Sequence, residues 1–404
     1  MRKETAGSRL SFGLEGVRPS PSGFLGILEI MKTDSLAQID SLFPGYLEGN
    51  AVDEFLSEFG IKFSAGHWCA GEFFDRFAPG GYNSNDPSFD GSEEAQIEKV
   101  AKAGIKGIEW HDMVFLHSDG SPNVPKIGSL ASSMKSHGVV PTNMNFNLWS
   151  DPVYKWGSVT NPDEGVRRRA REQVRNGIDI AKEIGCESCG LWPGSDGWDY
   201  HFEVDYGQRL RWFIDACTEF AEHCDRIGLK FGTEPKQKEP REMNMVTNTV
   251  AKAACVCIEV NKNLGKTVMG VAIDYGHEQM VGNTPADSLY LLKTLGLPIA
   301  NFHINGAKYN SNDEDRIAGT DDIWRLVEFC YAAIDTGYDG WFGEDQFTYR
   351  TDQTVSMRLS MEFFANCMKR ALKIYSMRSE LQKAQATGDA VQTIQLVKRV
   401  IYGG

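Results

Sequence analysis

Apolar and polar positions between residues 61 and 345 repeat as a pair of patterns: a short run rich in β-branched and aromatic residues, then a longer stretch with apolar residues every three or four. The first pattern has the period of a strand, the second that of an amphipathic helix. Residues 61–66 read as the first strand, and Ser92-Glu93-Glu94 caps a helix carried on by Ile97, Val100 and Ala101 and stopped at Gly104. Further strands are predicted at 107–111, 139–145, 189–192, up to Glu234, 268–274, 299–305 and 341–345. Helices are predicted at 163–184, 208–227, 250–260, 286–295 and 323–333. Eight strand–helix units imply parallel strands joined by right-handed crossovers and closed into an α/β (β/α)8 TIM barrel. No Gly-rich phosphate turn follows the first strand, which argues against an open dinucleotide-binding sheet.

The two ends depart from this alternation. Residues 1–50 lack firm periodicity and include Pro19-Ser20-Pro21-Ser22-Gly23, the makings of a loosely packed extension. From Thr354 the pattern is helical throughout, and Met361, Phe364, Met368, Leu372 and Tyr375 form a stripe that must bury against the barrel or a neighbouring subunit. The expected organisation is an N-terminal extension (1–55), a catalytic barrel (56–350) and a helical C-terminal arm (351–404).

Composition narrows the class. A chain of 404 residues, 41% hydrophobic, suits a barrel with appendages. Its net charge of −13 disfavours a nucleic-acid partner. There is no apolar run of membrane-spanning length, and the stretch 24–31 is short and contains Glu29, unlike a signal peptide, so a cytoplasmic protein is expected. The nine cysteines form no regular framework. Cys186 with Cys189, and Cys255 with Cys257, have spacings that raise a zinc site; buried thiols acting as small hydrophobes explain them better.

The candidate chemistry sits at the strand ends. Glu234 and Lys236, two residues apart, share one face of an extended segment, and Pro235 between them marks a strand that is ending. The next strands end in Asp274-Tyr275-Gly276-His277, in His303-Ile304-Asn305 followed by Asp313-Glu314-Asp315, and in Glu344-Asp345. A closed barrel gathers these ends around one mouth, where carboxylates with histidine and no thiolate suit Mg²⁺, Mn²⁺ or Co²⁺ better than structural zinc. More ligands than one ion needs implies two ions.

Several motifs carry a resemblance to the xylose isomerase family, running from about residue 61 to 346. They are Phe63-Ser64-Ala65-Gly66-His67-Trp68, Trp110-His111-Asp112, Asn147-Leu148-Trp149-Ser150-Asp151-Pro152-Val153-Tyr154, Val166-Arg167-Arg168-Arg169-Ala170, Leu191-Trp192, Glu234-Pro235-Lys236 through Glu239-Pro240-Arg241, and Gly276-His277-Glu278-Gln279-Met280. The resemblance implies a TIM barrel whose helical arm embraces a neighbour, in a homotetramer or homodimer, acting on a small sugar. Glu234, Asp274 and Asp345 resemble ligands of a first, substrate-holding metal. The fourth place falls on Asn305, with His303 as the other candidate; rhamnose isomerases share a similar His-x-Asn followed by Lys308-Tyr309 and use the histidine. His277, Asp313 and Asp315 resemble ligands of a second metal, with Asp274 bridging. Lys236 resembles the lysine that binds the substrate's carbonyl oxygen, and Asp313 joins it and His111 as a catalytic candidate. His111 matches the ring-opening histidine, although the aspartate that orients it three residues later is Val114 here. Trp68, Trp149 and Trp192 match the aromatic walls, and Asn145 and Val114 depart from the xylose-specific pattern and reshape the substrate pocket.

The activity these residues imply is aldose–ketose isomerisation by a metal-assisted 1,2-hydride shift. A sugar epimerase using proton abstraction on the same barrel is the alternative. A metal-dependent endonuclease is disfavoured by charge, and a non-catalytic sugar-binding protein by the completeness of the ligand set.

Overall fold

The computed structural model describes residues 38–403 except 75, 76 and 84. The expectation for the Pro19–Gly23 region lies outside the described residues. Eight parallel strands close into a barrel: β1 (Lys62–Gly66), β2 (Gly107–His111), β3 (Val140–Asn145), β4 (Ser188–Leu191), β5 (Lys230–Thr233), β6 (Met269–Asp274), β7 (Ile299–Ile304) and β8 (Trp341–Glu344). Each pairs with its sequence neighbour, and β8 returns to β1 through Lys62–Trp341 to Ala65–Glu344. The (β/α)8 TIM barrel expected from the alternation is therefore the fold.

Helix α1 (Asn50–Glu58) precedes the barrel. The outer layer follows as α2 (Glu93–Lys102), α3 (Val124–His137), α4 (Glu164–Ile184), α5 (Tyr206–Ile227), α6 (Val250–Leu264), α7 (Pro285–Leu295), α8 (Ile323–Thr336) and α9 (Gln353–Ser376). Side-chain caps fix several starts: Ser92 Oγ accepts from Ala95 N, and Asp163 and Asp205 cap α4 and α5. The sequence pattern does not mark helix α3, because its Gly128 and run of serines dilute the apolar period.

Packing crosses both expected domain boundaries. α1 is a packed element: Val52, Phe55 and Leu56 are buried, and Asp53 pairs with Arg358 of α9 at 3.0 Å, so a boundary at 55 cuts through a barrel-bound helix. At the other end, α9 follows β8 as the barrel's eighth helix. Its stripe faces inward, where Phe364 meets Phe63 of β1 at 5.3 Å and Phe342 of β8 at 4.9 Å. Met361, Phe364, Met368 and Leu372 are buried, each stabilising the fold by about 1.5–3 kcal/mol. At this end α10 (Arg378–Gln385) and α11 (Ala390–Gly403) extend beyond the barrel, and Tyr402 folds back so that its hydroxyl accepts from Trp324 Nε1 at 3.0 Å.

Candidate active site

At the C-terminal rim a cavity of about 230 Å³ is lined by Trp68, His111, Asn145, Trp149, Trp192, Glu234, Lys236, His277, His303, Asp313, Asp315 and Asp345. Phe347, which the sequence did not suggest, completes the lining. Asp274 and Asn305 lie just behind the wall, both buried. Local structure explains the convergence. β5 ends at Thr233 and β8 at Glu344, so Glu234 and Asp345 are each the first residue past a strand, while Asp274 ends β6. Asp274 Oδ1 also accepts from the backbone N–H of His277 at 2.7 Å, capping the short helix Tyr275–Met280 and orienting both side chains.

Two groups here could hold a divalent ion. Glu234, Asp274, His303 and Asp345 each bring one ligand atom within 4.8 Å of the others, as do Asp274, His277 and Asp313. Asp274 belongs to both. His303 Nδ1 has no hydrogen-bond partner and lies 3.2 Å from Glu234 Oε2 and 3.4 Å from Asp345 Oδ2. Asn305 is occupied otherwise: its Nδ2 donates to Asp274 and Asp315, both at 3.0 Å, and its Oδ1 accepts from Gly276 N at 2.8 Å. Asn305 thus spans the carboxylates of Asp274 and Asp315. Asp315 lines the cavity but falls outside the second three-residue group. Among the described residues no such group contains a thiol; Cys186, Cys189 and Cys257 are buried and Cys255 is exposed.

The electrostatics call for cations. Burial, then neighbouring carboxylates outweighing His277, push Asp274 up to about 7, and Asp345 is likewise pushed up to about 6. Burial would lower His277, but Asp274 and Asp313 raise it to about 9. Burial would raise Asp313, yet Lys236 and His277 hold it well below the usual range. Lys236 Nζ is 2.7 Å from Asp313 Oδ2 and 5.1 Å from the Trp192 ring centre, and despite burial its carboxylate neighbours keep it charged. An unpartnered His303 Nδ1, an unpartnered Asp313 Oδ1 and a surplus of carboxylates form a donor set that fits hard divalent ions.

One important residue escaped the sequence reading. Glu109, in the middle of β2, is fully buried inside the barrel and accepts from Asn143, Asn145 and Asn301 at 3.1–3.3 Å, while His303 Nε2 lies 3.1 Å away. Burial would raise its carboxyl pKa, but His303 and the amides outweigh that and hold it below the ordinary value. Gly343 makes room, since a Cβ there would stand 2.0 Å from Glu109 Oε1. The available signal was a glutamate centred in an apolar strand. Glu109 fixes His303 with Nδ1 toward the carboxylates, so Glu109→Gln is expected to weaken Mn²⁺ binding about 10- to 100-fold in a calorimetric titration. Unchanged affinity would show that His303 needs no such support. Asn145, expected to touch substrate, lines the cavity with its amide already donating to Glu109 and accepting from Asn143 at 3.0 Å.

The aromatic wall is continuous. Trp68 stacks on His111 at 4.2 Å and its Nε1 donates to Asp345 Oδ1 at 2.7 Å. Trp149 meets His111 edge-on at 5.2 Å and Trp192 at 4.5 Å.

At the mouth of the closed β/α barrel, tryptophans thus wall a cavity that is centred on carboxylates and histidines. The profile of the xylose isomerase-like TIM barrel family matches residues 97–367, and the chain belongs to that family. Among solved structures it is similar to an L-ribulose 3-epimerase (14% identity, TM-score 0.60, 79% of this chain and 98% of that one). It is also similar to a D-tagatose 3-epimerase-like protein (18%, TM-score 0.55, 79% and 100%). A third is a xylose isomerase domain protein from Alicyclobacillus acidocaldarius subsp. acidocaldarius (14%, TM-score 0.55, 78% and 99%). At these identities the likeness speaks for the fold. No helix among the described residues is long and apolar enough to cross a membrane.

Proposed function

We propose that the protein is a divalent-metal-dependent aldose–ketose isomerase acting on a small sugar. The observation that carries this reading is the pair of ligand groups sharing Asp274, with Lys236 Nζ held at their edge 2.7 Å from Asp313. Glu234, Asp274, His303 and Asp345 would hold one ion; Asp274, His277 and Asp313, with Asp315 nearby, would hold a second. Bound there, Mg²⁺, Mn²⁺ or Co²⁺ supplies Lewis-acid polarisation of adjacent sugar oxygens. Lys236, kept charged by its carboxylate neighbours, donates a hydrogen bond to the carbonyl oxygen where negative charge develops. His111 serves ring opening, and Trp68, Trp149 and Trp192 exclude water from a C2 hydrogen that moves to C1 with its electron pair. Asn305 stays a brace in this scheme. Homo-oligomeric assembly, as a tetramer or dimer, and residence in the cytoplasm belong to the same proposal.

The second reading is a sugar epimerase. Its support is the named activity of the solved neighbours, which fits proton abstraction more closely than a hydride shift. The paired carboxylates Glu234 and Asp345, flanking His303, would then act as acid and base. Aldoses deuterated at C2 and ketoses deuterated at C3, incubated with enzyme and Mn²⁺, separate the two, because the label then sits on the hydrogen that each reaction moves. The expected result is the aldose C2 deuterium retained and carried to C1 of the ketose; an untouched aldose with ketose C3 deuterium washed into solvent would replace the isomerase by the epimerase.

A further inference from the structure

His111 needs an orienting partner, and the residue three places on, Val114, is apolar and buried. The partner comes from elsewhere. Gln96 Nε2, on α2, donates to Gly91 O at 2.8 Å, which turns Gln96 Oε1 toward His67 Nδ1, also 2.8 Å away. An amide oxygen only accepts, so His67 carries its proton on Nδ1. Burial holds the His67 ring neutral, its pKa lowered to about 4, which leaves a bare lone pair on Nε2. That lone pair meets His111 Nδ1 at 3.2 Å and must be answered by an N–H. Burial, with His67 and His303 as neighbours, keeps His111 neutral too. Its single proton is therefore on Nδ1, and Nε2 is a hydrogen-bond acceptor on a ring that lines the cavity. The stack on Trp68 at 4.2 Å fixes the ring plane.

We propose that Gln96 and His67 are positioning residues that fix His111 as the Nδ1–H tautomer, presenting a basic Nε2 to the anomeric hydroxyl of a cyclic sugar. The function assigned to that nitrogen rests on the isomerase reading; the tautomer does not. The step balances on one nitrogen. The anomeric O–H proton passes to Nε2, its electron pair forms the carbonyl, and the ring C–O bond breaks toward the ring oxygen. That oxygen, bonded to the same carbon, takes the proton back from Nε2, leaving His111 as it began.

The test is imidazole nitrogen NMR on full-length, Mg²⁺-loaded protein carrying ¹⁵N-histidine, with His111→Asn and His67→Asn identifying the two rings. Both rings are expected as neutral Nδ1–H tautomers; a proton on His111 Nε2 in the unsubstituted protein would overturn the proposal. Gln96→Leu is expected to release both rings toward the Nε2–H form and to lower kcat on a cyclic aldose about 10- to 100-fold with KM little changed. Gln96→Glu, which keeps an acceptor facing His67 Nδ1, should retain the tautomer and recover most of the rate. A Gln96→Leu spectrum identical to the unsubstituted one would also overturn it. If no aldose is isomerised at all, the proposed function fails while the spectra still decide the tautomer.

Discussion

Lys236→Met is expected to abolish turnover, with kcat falling at least about 10³-fold, while Mn²⁺ binding at the Glu234, Asp274, His303 and Asp345 group is retained. Methionine keeps most of the side-chain volume beside Trp192 and removes the one ammonium that Asp313 holds at the cavity edge. An electrostatic stabiliser of a developing oxyanion has no neutral substitute, so the loss should fall on kcat rather than KM. Lys236→Arg should recover little, because the planar guanidinium replaces a compact point charge. Steady-state kinetics with a parallel calorimetric Mn²⁺ titration gives the answer, and a Met variant with full activity would remove Lys236 from the chemistry.

Chelation of divalent ions is expected to stop turnover and to lower the melting temperature, with both restored by Mn²⁺. A ligand at 100 times its Kd stabilises the native state by about 2.7 kcal/mol, a shift that differential scanning fluorimetry resolves. The sign of the pH dependence follows from Asp274, raised to about 7, and Asp345, raised to about 6, against an unfolded value of about 3.9. A carboxyl raised on folding gives stability that is complete below the unfolded pKa and is lost as pH rises through the folded one. The metal-free chain should therefore lose stability as pH climbs toward 6 and 7, whereas a bound cation relieves the same repulsion. The gap in melting temperature between metal-loaded and metal-free protein should widen between about pH 5 and pH 8. A constant gap would mean that these carboxylates do not face the ion.

The sequence reading was strongest where one element's period carried the information. Strands at 107–111, 268–274 and 341–345 stand within a residue of expectation, since each is a short buried run flanked by turn residues. The reading was weakest where a residue's role depends on distant chain. The place of Asn305 after His303 does not reveal that its amide spans Asp274 and Asp315. Nothing local marks Gln96 as a partner of His67, nor His67 of His111, because those contacts join α2 to the ends of β1 and β2. The apolar stripe of the helix from Gln353 does not name the surface it covers.

By itself the sequence determined the alternation of strands and helices, the closed barrel it implies, and the gathering of Glu234, Lys236, Asp274, His277, His303, Asp313 and Asp345 at one rim. Periodicity dictates which residues share a face, and parallel strands put all their ends on one side. The tertiary structure alone decided that Asn305 spans two carboxylates, that Glu109 faces His303, and that a glutamine stands at the head of a histidine chain. Those are matters of ångström-scale direction between residues up to 194 positions apart, and no local pattern in a chain encodes the angle at which two distant side chains meet.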